Sequence, residues 1–306
     1  MLKPLLRWIR DILMGLIERL WALGFAIAGR IVRPAARAWL SPGGQHILAI
    51  APHPDDEAIG CGGVLMLHKQ RGDTVWIVYV TDGRQSRSLG LAPAAMAQRR
   101  RAEAEISANI VGVDRLIWLG LPEGDWATAD ARARLGALLA ERVPDVIYAP
   151  SRVDFHPEHY RVAYALALAL ADRGQDATLV RVYQVQVPLT PRLTNLVADV
   201  SGIVPQSRAM LQAYVSQWYS VARTLRQRRY SAALYGARAQ AEEFWELPAG
   251  RYRALHAFAP DQWSATIFRG LRFYPWSDPL AYLRGRSARR RIARELVAAE
   301  AGGRGR

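Results

Sequence analysis

An α/β fold built on one mostly parallel sheet, with helices on both faces, is the architecture this sequence predicts. Three observations carry that expectation. Short apolar or β-branched runs such as Ile47–Ile50 and Thr74–Val80 have no polar alternation, as strands buried on both faces require. Helical stretches of roughly 10–18 residues separate them, the rhythm of βαβ units. The 306 residues, 51% of them hydrophobic, suffice for one sizeable core, and no internal repeat interrupts them.

Taken in order, Ile47–Ile50 reads as a first buried strand and Glu57–Arg71 as a helix. The run TVWIVYV (Thr74–Val80) is a strand, Ala94–Val111 a helix, Arg115–Leu119 a strand and Ala129–Arg142 a helix. DVIYA (Asp145–Ala149) is a strand, Tyr160–Arg173 a helix and Leu179–Val187 a strand. Right-handed crossovers are expected between the parallel strands. Beyond residue 188 the pattern loosens to a strand near Val197–Val200, a helix at Pro205–Trp218 and another around Tyr230–Trp245. The division that follows is a basic amphipathic segment at 1–40, one catalytic-sized domain at 41–260 and a basic extension at 261–306.

Charge is concentrated at the ends. The chain carries +14, of which residues 1–40 supply +5 and residues 284–306, with eight arginines against Glu295 and Glu300, supply +6. An anionic surface is the natural partner for such ends, solvated tails the plain alternative. On a helical wheel Lys3, Arg7, Arg10, Asp11 and Glu18 share one arc, and leucine, isoleucine, tryptophan and methionine fill the rest. This is the pattern of a helix lying in a membrane interface, with Trp8 and Trp21 at headgroup level. Its longest uncharged stretch, Leu20–Gly29, is short of the ~20 residues a span needs. Ala26-Ile27-Ala28 mimics a leader cleavage site, but Asp11 and Glu18 are foreign to a basic leader. Packing of this helix on the protein's own surface is the competing reading. The single cysteine, Cys61, excludes an internal disulfide framework.

The chemistry concentrates in two stretches that follow strands, where open parallel sheets bind ligands. APHPDDEAIGCGG (Ala51–Gly63) places His53, Asp55, Asp56 and Glu57 within five residues, and DFHPEH (Asp154–His159) follows Asp145–Ala149. Each offers two donors three residues apart, His53 with Asp56 and His156 with His159. Two histidines and a carboxylate with a position left open form the ligand set of a hydrolytic zinc site, and His53, Asp56 and His159 are the ligands assigned. A helix N-terminus also favours carboxylates without any metal, but that explains one acidic residue and not a second His-Pro-Glu-His after another strand. Gly60, Gly62 and Gly63 suit close backbone approach. They are not a phosphate loop, because no Gly-Lys-Ser/Thr follows.

PHPDDE resembles the AHPDDE signature of the LmbE-like, or PIG-L, deacetylases. TDG (Thr81–Gly83), RRAE with VGV (Arg100, Glu103, Gly112), LGLPEGD (Leu119–Asp125) and ADVSGIV…AMLQAYVSQ (Ala198–Gln217) are similar to later family stretches and occur in the family's order. The resemblance covers about residues 45–245. Pro52 and Glu123 depart from it, the latter standing where the family has aspartate. It implies a Rossmann-like, LmbE-like fold and zinc-dependent removal of acetyl from an N-acetylglucosamine-type sugar, lipid-linked or in a glycan or glycolipid pathway. Fe2+ or Co2+ is an alternative metal.

With a metal in place, Asp55 is the expected general base and His156 the group that stabilises the oxyanion. Arg100 and Glu123 are candidates for sugar hydroxyls or an attached phosphate, and Asp82 for contact with a metal ligand. Cys61 lacks a base to activate it. The expected setting is cytoplasmic and peripheral on the inner face of the membrane. Competing readings are an amidase acting on a thiol–sugar conjugate, a non-catalytic metal-binding scaffold, and a nucleic-acid binder. For the last, the arginines have no accompanying recognition motif, so no nucleic-acid partner is expected.

Overall fold

The computed structural model describes residues 2–32, 34–154, 156–174, 178–189, 192–257, 283 and 285–303. Its centre is an eight-stranded sheet. In chain order the strands are β1 (Arg37–Ala38), β2 (His46–Ala51), β3 (Thr74–Thr81), β4 (Arg115–Leu121), β5 (Val146–Ala149), β6 (Leu179–Tyr183), β7 (Leu196–Asp199) and β8 (Ala241–Pro248). They lie side by side in the order β1-β7-β8-β6-β5-β2-β3-β4. Every pairing is parallel except those of β8, which runs antiparallel to β6 and β7. Strand order reverses around β2 and β5, which pair directly, so a crevice opens beyond their carboxyl ends. His46–Ala51 and Val146–Ala149 are buried at every position, which is why they read as unbroken apolar runs.

Two cores cover the two faces. On one side α2 (Asp56–Gly60), α3 (Gly62–Gln70), α4 (Pro93–Val111) and α7 (Val204–Ala213) pack against Ile47, Ala49, Ile77, Tyr79 and Phe244. On the other, α5 (Thr128–Glu141), α6 (Pro157–Arg173) and α9 (Ala249–Leu255) pack against Leu48, Ile50, Val78 and Ile147.

Three expectations are corrected. The helix expected at Glu57–Arg71 is two helices broken at Cys61, because the buried Glu242 carboxylate takes the N–H groups of Gly63 and Val64, both at 2.8 Å, and so starts a new helix there. The helix expected around Tyr230–Trp245 is the end of α8 (Trp218–Tyr235) followed by strand β8. Gly236 at φ 77° terminates α8, and AEEFWELP pairs into the sheet. The stretch expected as the single helix Pro205–Trp218 is α7 followed by a 3₁₀ turn, Val215–Gln217.

At the N-terminus, α1 (Leu2–Val32) lies along α8. Phe25 stacks on Tyr230 at 5.0 Å, and Glu18 meets Arg229 at 3.2 Å and Arg226 at 3.7 Å. A Cβ at Gly29 would sit 2.1 Å from the Leu234 carbonyl oxygen, so only glycine allows this approach. The outward face leaves Leu13, Leu16, Leu20, Leu23 and Ile27 exposed. Trp8–Val32, 25 residues with mean hydropathy 1.6, is long and apolar enough to cross a membrane by length and composition. In the C-terminal segment, most of residues 258–284 lies outside the described residues. Helix Arg286–Gly303 buries Ile292, Leu296 and Arg289 on the α9 side of the sheet, so this part of the basic extension is packed structure.

Candidate metal centre

The turn after β2 is built to present side chains. Thr81 donates its backbone N–H (2.9 Å) and hydroxyl (2.8 Å) to the Pro52 carbonyl, which fastens the turn to the end of β3. Asp55 is the one described non-glycine residue with positive φ, at 129°. That conformation is costly and tends to persist only where the surroundings hold it. Here Arg100 holds it: the guanidinium donates to Asp55 Oδ1 at 2.7 Å, to the Pro54 carbonyl and, at 3.2 Å, to the Gly83 carbonyl. Turned this way, Asp55 points apart from its neighbour Asp56.

Asp56 Oδ2 lies 3.1 Å from His53 Nδ1 and 3.1 Å from His159 Nε2. Ligand atoms around a tetrahedral ion with bonds of about 2.1 Å stand roughly 3.4 Å apart, so small relaxation would let these three share one. His156 joins them, since one nitrogen from each of His53, His156 and His159 lies within 4.8 Å of the others. All three assigned ligands are buried, and His159 occupies the first turn of α6. A buried carboxylate between two imidazoles favours positive charge. Burial opposes protonation of His53, yet the Asp56 and Glu123 carboxylates raise its pKa to about 9. Burial likewise opposes protonation of His159, and Asp56 and Asp154 overcome it and lift its pKa well above the ordinary value. A divalent cation would compete with those protons for the same donors. The donor types, spacing and burial therefore fit zinc or a similar ion.

Around this cluster, burial pushes the Asp55 carboxyl up to about 7, a rise that the Arg100 guanidinium opposes. Burial, with the charges of His159 and His53, drives His156 down to about 3, so its imidazole is neutral. Its Nδ1 is buried without a hydrogen-bond partner among the described residues. Glu123 Oε1 stands 3.2 Å from His53 Nε2, off the line of a hydrogen bond, while Oε2 accepts the Gln85 N–H at 2.8 Å.

Of the residues singled out from sequence, seven face one open cleft of about 720 Å³: His53, Asp55, Asp56, Arg100, Glu123, His156 and His159. Asp82 stands apart. It accepts from Arg84 Nε at 2.7 Å and from the Glu123 N–H at 3.2 Å, and so shapes the loop carrying Glu123 without bonding a ligand histidine.

Sequence reasoning missed Asp154. Its Oδ2 stands 3.1 Å from His159 Nδ1, off the line of a hydrogen bond, and its Oδ1 accepts the His156 backbone N–H at 3.1 Å, so one carboxylate faces both histidines. Its position at the head of DFHPEH was the available signal. The α8 wall of the cleft, with Tyr219, Arg223 and Arg226, was also missed. It is linked to the α4 side through Ser216, which donates its N–H and hydroxyl to Glu103 at 3.0 and 2.6 Å.

A mostly parallel α/β sheet with a two-histidine, one-carboxylate cluster beyond its strand ends has the donor set of a hydrolytic metal centre. Residues 48–170 match the PIG-L family model, described as GlcNAc-PI de-N-acetylase, and this stretch is a PIG-L (LmbE-like) domain. The chain is 25% identical over 190 residues to a probable N-acetyl-alpha-D-glucosaminyl L-malate deacetylase 2 of Bacillus anthracis, covering 57% of this chain and 82% of that one. It is 28% identical over 125 residues to a diacetylchitobiose deacetylase of Thermococcus kodakarensis, covering 39% of this chain but only 47% of the relative. Among solved structures, the N,N'-diacetylchitobiose deacetylase of Pyrococcus horikoshii superposes with a TM-score of 0.57 at 23% identity, over 68% of this chain and 85% of that one, a likeness of fold.

Proposed function

We propose that this chain is a metal-dependent N-deacetylase that hydrolyses the acetamide of an N-acetylglucosamine-type sugar, with zinc on His53, Asp56 and His159. One observation carries the reading: a second carboxylate, Asp55, is turned by a positive φ away from the donor cluster and into the same cleft. A scaffold with a structural ion has no use for that arrangement, and structural zinc sites usually close with four protein ligands. The names of the relatives support an acetylated amino sugar as substrate.

A bound divalent ion would lower the pKa of a water and polarise the acetyl carbonyl. The chain's own residues do the rest. Asp55 takes the proton as the water oxygen bonds to the acetyl carbon, and Arg100 keeps its carboxylate aimed and opposes the rise in its pKa that burial causes. His156, neutral and beside the cluster, faces the oxygen on which charge collects. When the C–N bond breaks, Asp55 returns the proton to the leaving nitrogen, which yields acetate and the free amine. Asp154, 3.1 Å from His159 Nδ1, would favour a proton on that nitrogen and so leave Nε2 for the metal. Arg100 and Glu123 line the cleft where sugar hydroxyls would lie, although most of the Arg100 donors are engaged at Asp55 and the backbone.

The exposed apolar face of α1 supports attachment to a membrane. Mass spectrometry of the zinc-loaded chain with N-acetylglucosaminyl glycosides tests the activity. Loss of an acetyl mass, abolished by chelator and restored by metal, is the expected result. Intact substrates across neutral and anionic glycosides would refute it.

A further inference from the structure

Tyr219, Arg223 and Arg226 follow one another at spacings of four and three residues, so one face of α8 turns them toward the cleft. The two arginines are not equivalent. Arg226 meets Glu18 of α1, which also meets Arg229. Arg223 is half-buried, and among the described residues no carboxylate forms an ion pair with it and no acceptor takes its N–H groups. None of its guanidinium nitrogens is a buried atom lacking a partner, so they open on the solvent of the cleft, available to a ligand. Burial pushes Arg223 below its ordinary pKa, while the charges of Asp55 and Asp154 work the other way. Arg100, by contrast, has its guanidinium committed to Asp55, Pro54 and Gly83.

Resting on the deacetylase reading, we infer that Arg223 is the specificity-determining residue of an anion subsite, which accepts a phosphate-type group on the part of the sugar substrate remote from the acetamide. A planar fork of donors at the wall of a cleft suits bidentate contact with such a group. The cleft volume, about 720 Å³, has room for more than one sugar ring. The enzyme therefore prefers anionic glycosides to neutral ones.

The test uses the full, zinc-loaded chain and three probes. These are methyl N-acetylglucosaminide, the methyl phosphodiester of N-acetylglucosamine 1-phosphate, and a long-chain phosphodiester of the same sugar in neutral lipid vesicles. Binding is measured by calorimetry on the Asp55→Asn protein, which removes turnover from the readout, and kcat/KM on the unaltered base. Both phosphodiesters should bind at least tenfold more tightly than the methyl glycoside. Arg223→Met should cut that preference by roughly 10–100-fold, the scale of a lost charge-assisted hydrogen bond, and Arg223→Lys by less. Preference for the vesicle-borne probe alone assigns the anion to a lipid headgroup, and equal preference assigns it to a soluble sugar phosphate. Equal binding of charged and neutral probes, or equal losses for both in Arg223→Met and Arg223→Lys, overturns the inference. Charge-selective binding without turnover of any probe would leave the subsite standing and remove the deacetylase reading. Turnover without charge preference would do the reverse.

Discussion

Replacing Glu242 with leucine perturbs the strut beneath the turn that carries His53 and Asp56. Glu242 on β8 is buried, accepts the N–H groups of Gly63 and Val64 at 2.8 Å each, and pairs with the buried Arg228 of α8. Arg228 in turn donates to the Ala58 carbonyl at 2.8 Å and to Ser207 Oγ. These two side chains fix the end of α2, which begins with Asp56, and the start of α3. A Cβ at Gly63 would lie 2.8 Å from Glu242 Oε1, so the carboxylate sits against backbone. Glu242→Leu leaves two buried donors unsatisfied and a buried guanidinium without its counter-charge. Breaking such a pair costs about 3–5 kcal/mol. With a urea slope of about 3 kcal/mol/M, the midpoint of the metal-loaded protein should fall by roughly 1 M or more. Arg228→Met with Glu242→Leu removes both charges together, so the double variant should be less destabilised than the sum of the singles, by about 1–3 kcal/mol. Urea unfolding followed by tryptophan fluorescence measures all three. A Glu242→Leu midpoint within experimental error of the parent, or strict additivity, would refute this account of the strut.

Two further outcomes follow from buried histidines and from α1. Burial lowers His68 to about 4 and His256 to about 3, against 6.5 when exposed. Between pH 6.5 and about 4 the unfolded chain therefore holds more protons, so these residues contribute stability present above pH 6.5 that is lost on acidification. Asp55 and His53 work in the opposite sense over this range, so the test is differential: His256→Gln should lose less stability than the parent between pH 7.5 and pH 5, and an identical pH dependence of the urea midpoint in the variant would contradict it. The intact chain should sediment with anionic liposomes, through burial of several apolar side chains at ~1.5–3 kcal/mol each. Partial release by alkaline carbonate indicates interfacial attachment, complete resistance a spanning anchor, and full solubility a helix satisfied by α8 alone.

The parallel sheet and the first metal stretch were legible because they are local. Ile47–Ile50 and Thr74–Val80 are buried on both faces, and His53, Asp55 and Asp56 sit in one turn. What escaped depends on distant partners. β8 was read as helix because Glu242 and Glu243 look like a polar helical face. Both are buried, Glu242 against Arg228 and Glu243 accepting from Thr194 at 2.8 Å and from Ser231. The break at Cys61 has the same origin, a carboxylate nearly 180 residues further along the chain. Asp154 and Arg223 have no spacing that marks them, since their roles exist only once α6 and α8 meet the turn after β2. The arginine-rich C-terminus read as a tail because its apolar residues Ile292 and Leu296 are few and widely spaced, although they reach the core.

The central claim is that Asp55 acts as a base beside a metal it does not hold. Asp55→Asn preserves shape and removes proton acceptance. Paired measurements of metal content by plasma mass spectrometry and of acetate release decide the matter. The variant should carry as much zinc as the parent while turnover falls about 10²–10⁴-fold. Parent-like turnover at full metal occupancy, or loss of the metal together with activity, would contradict it.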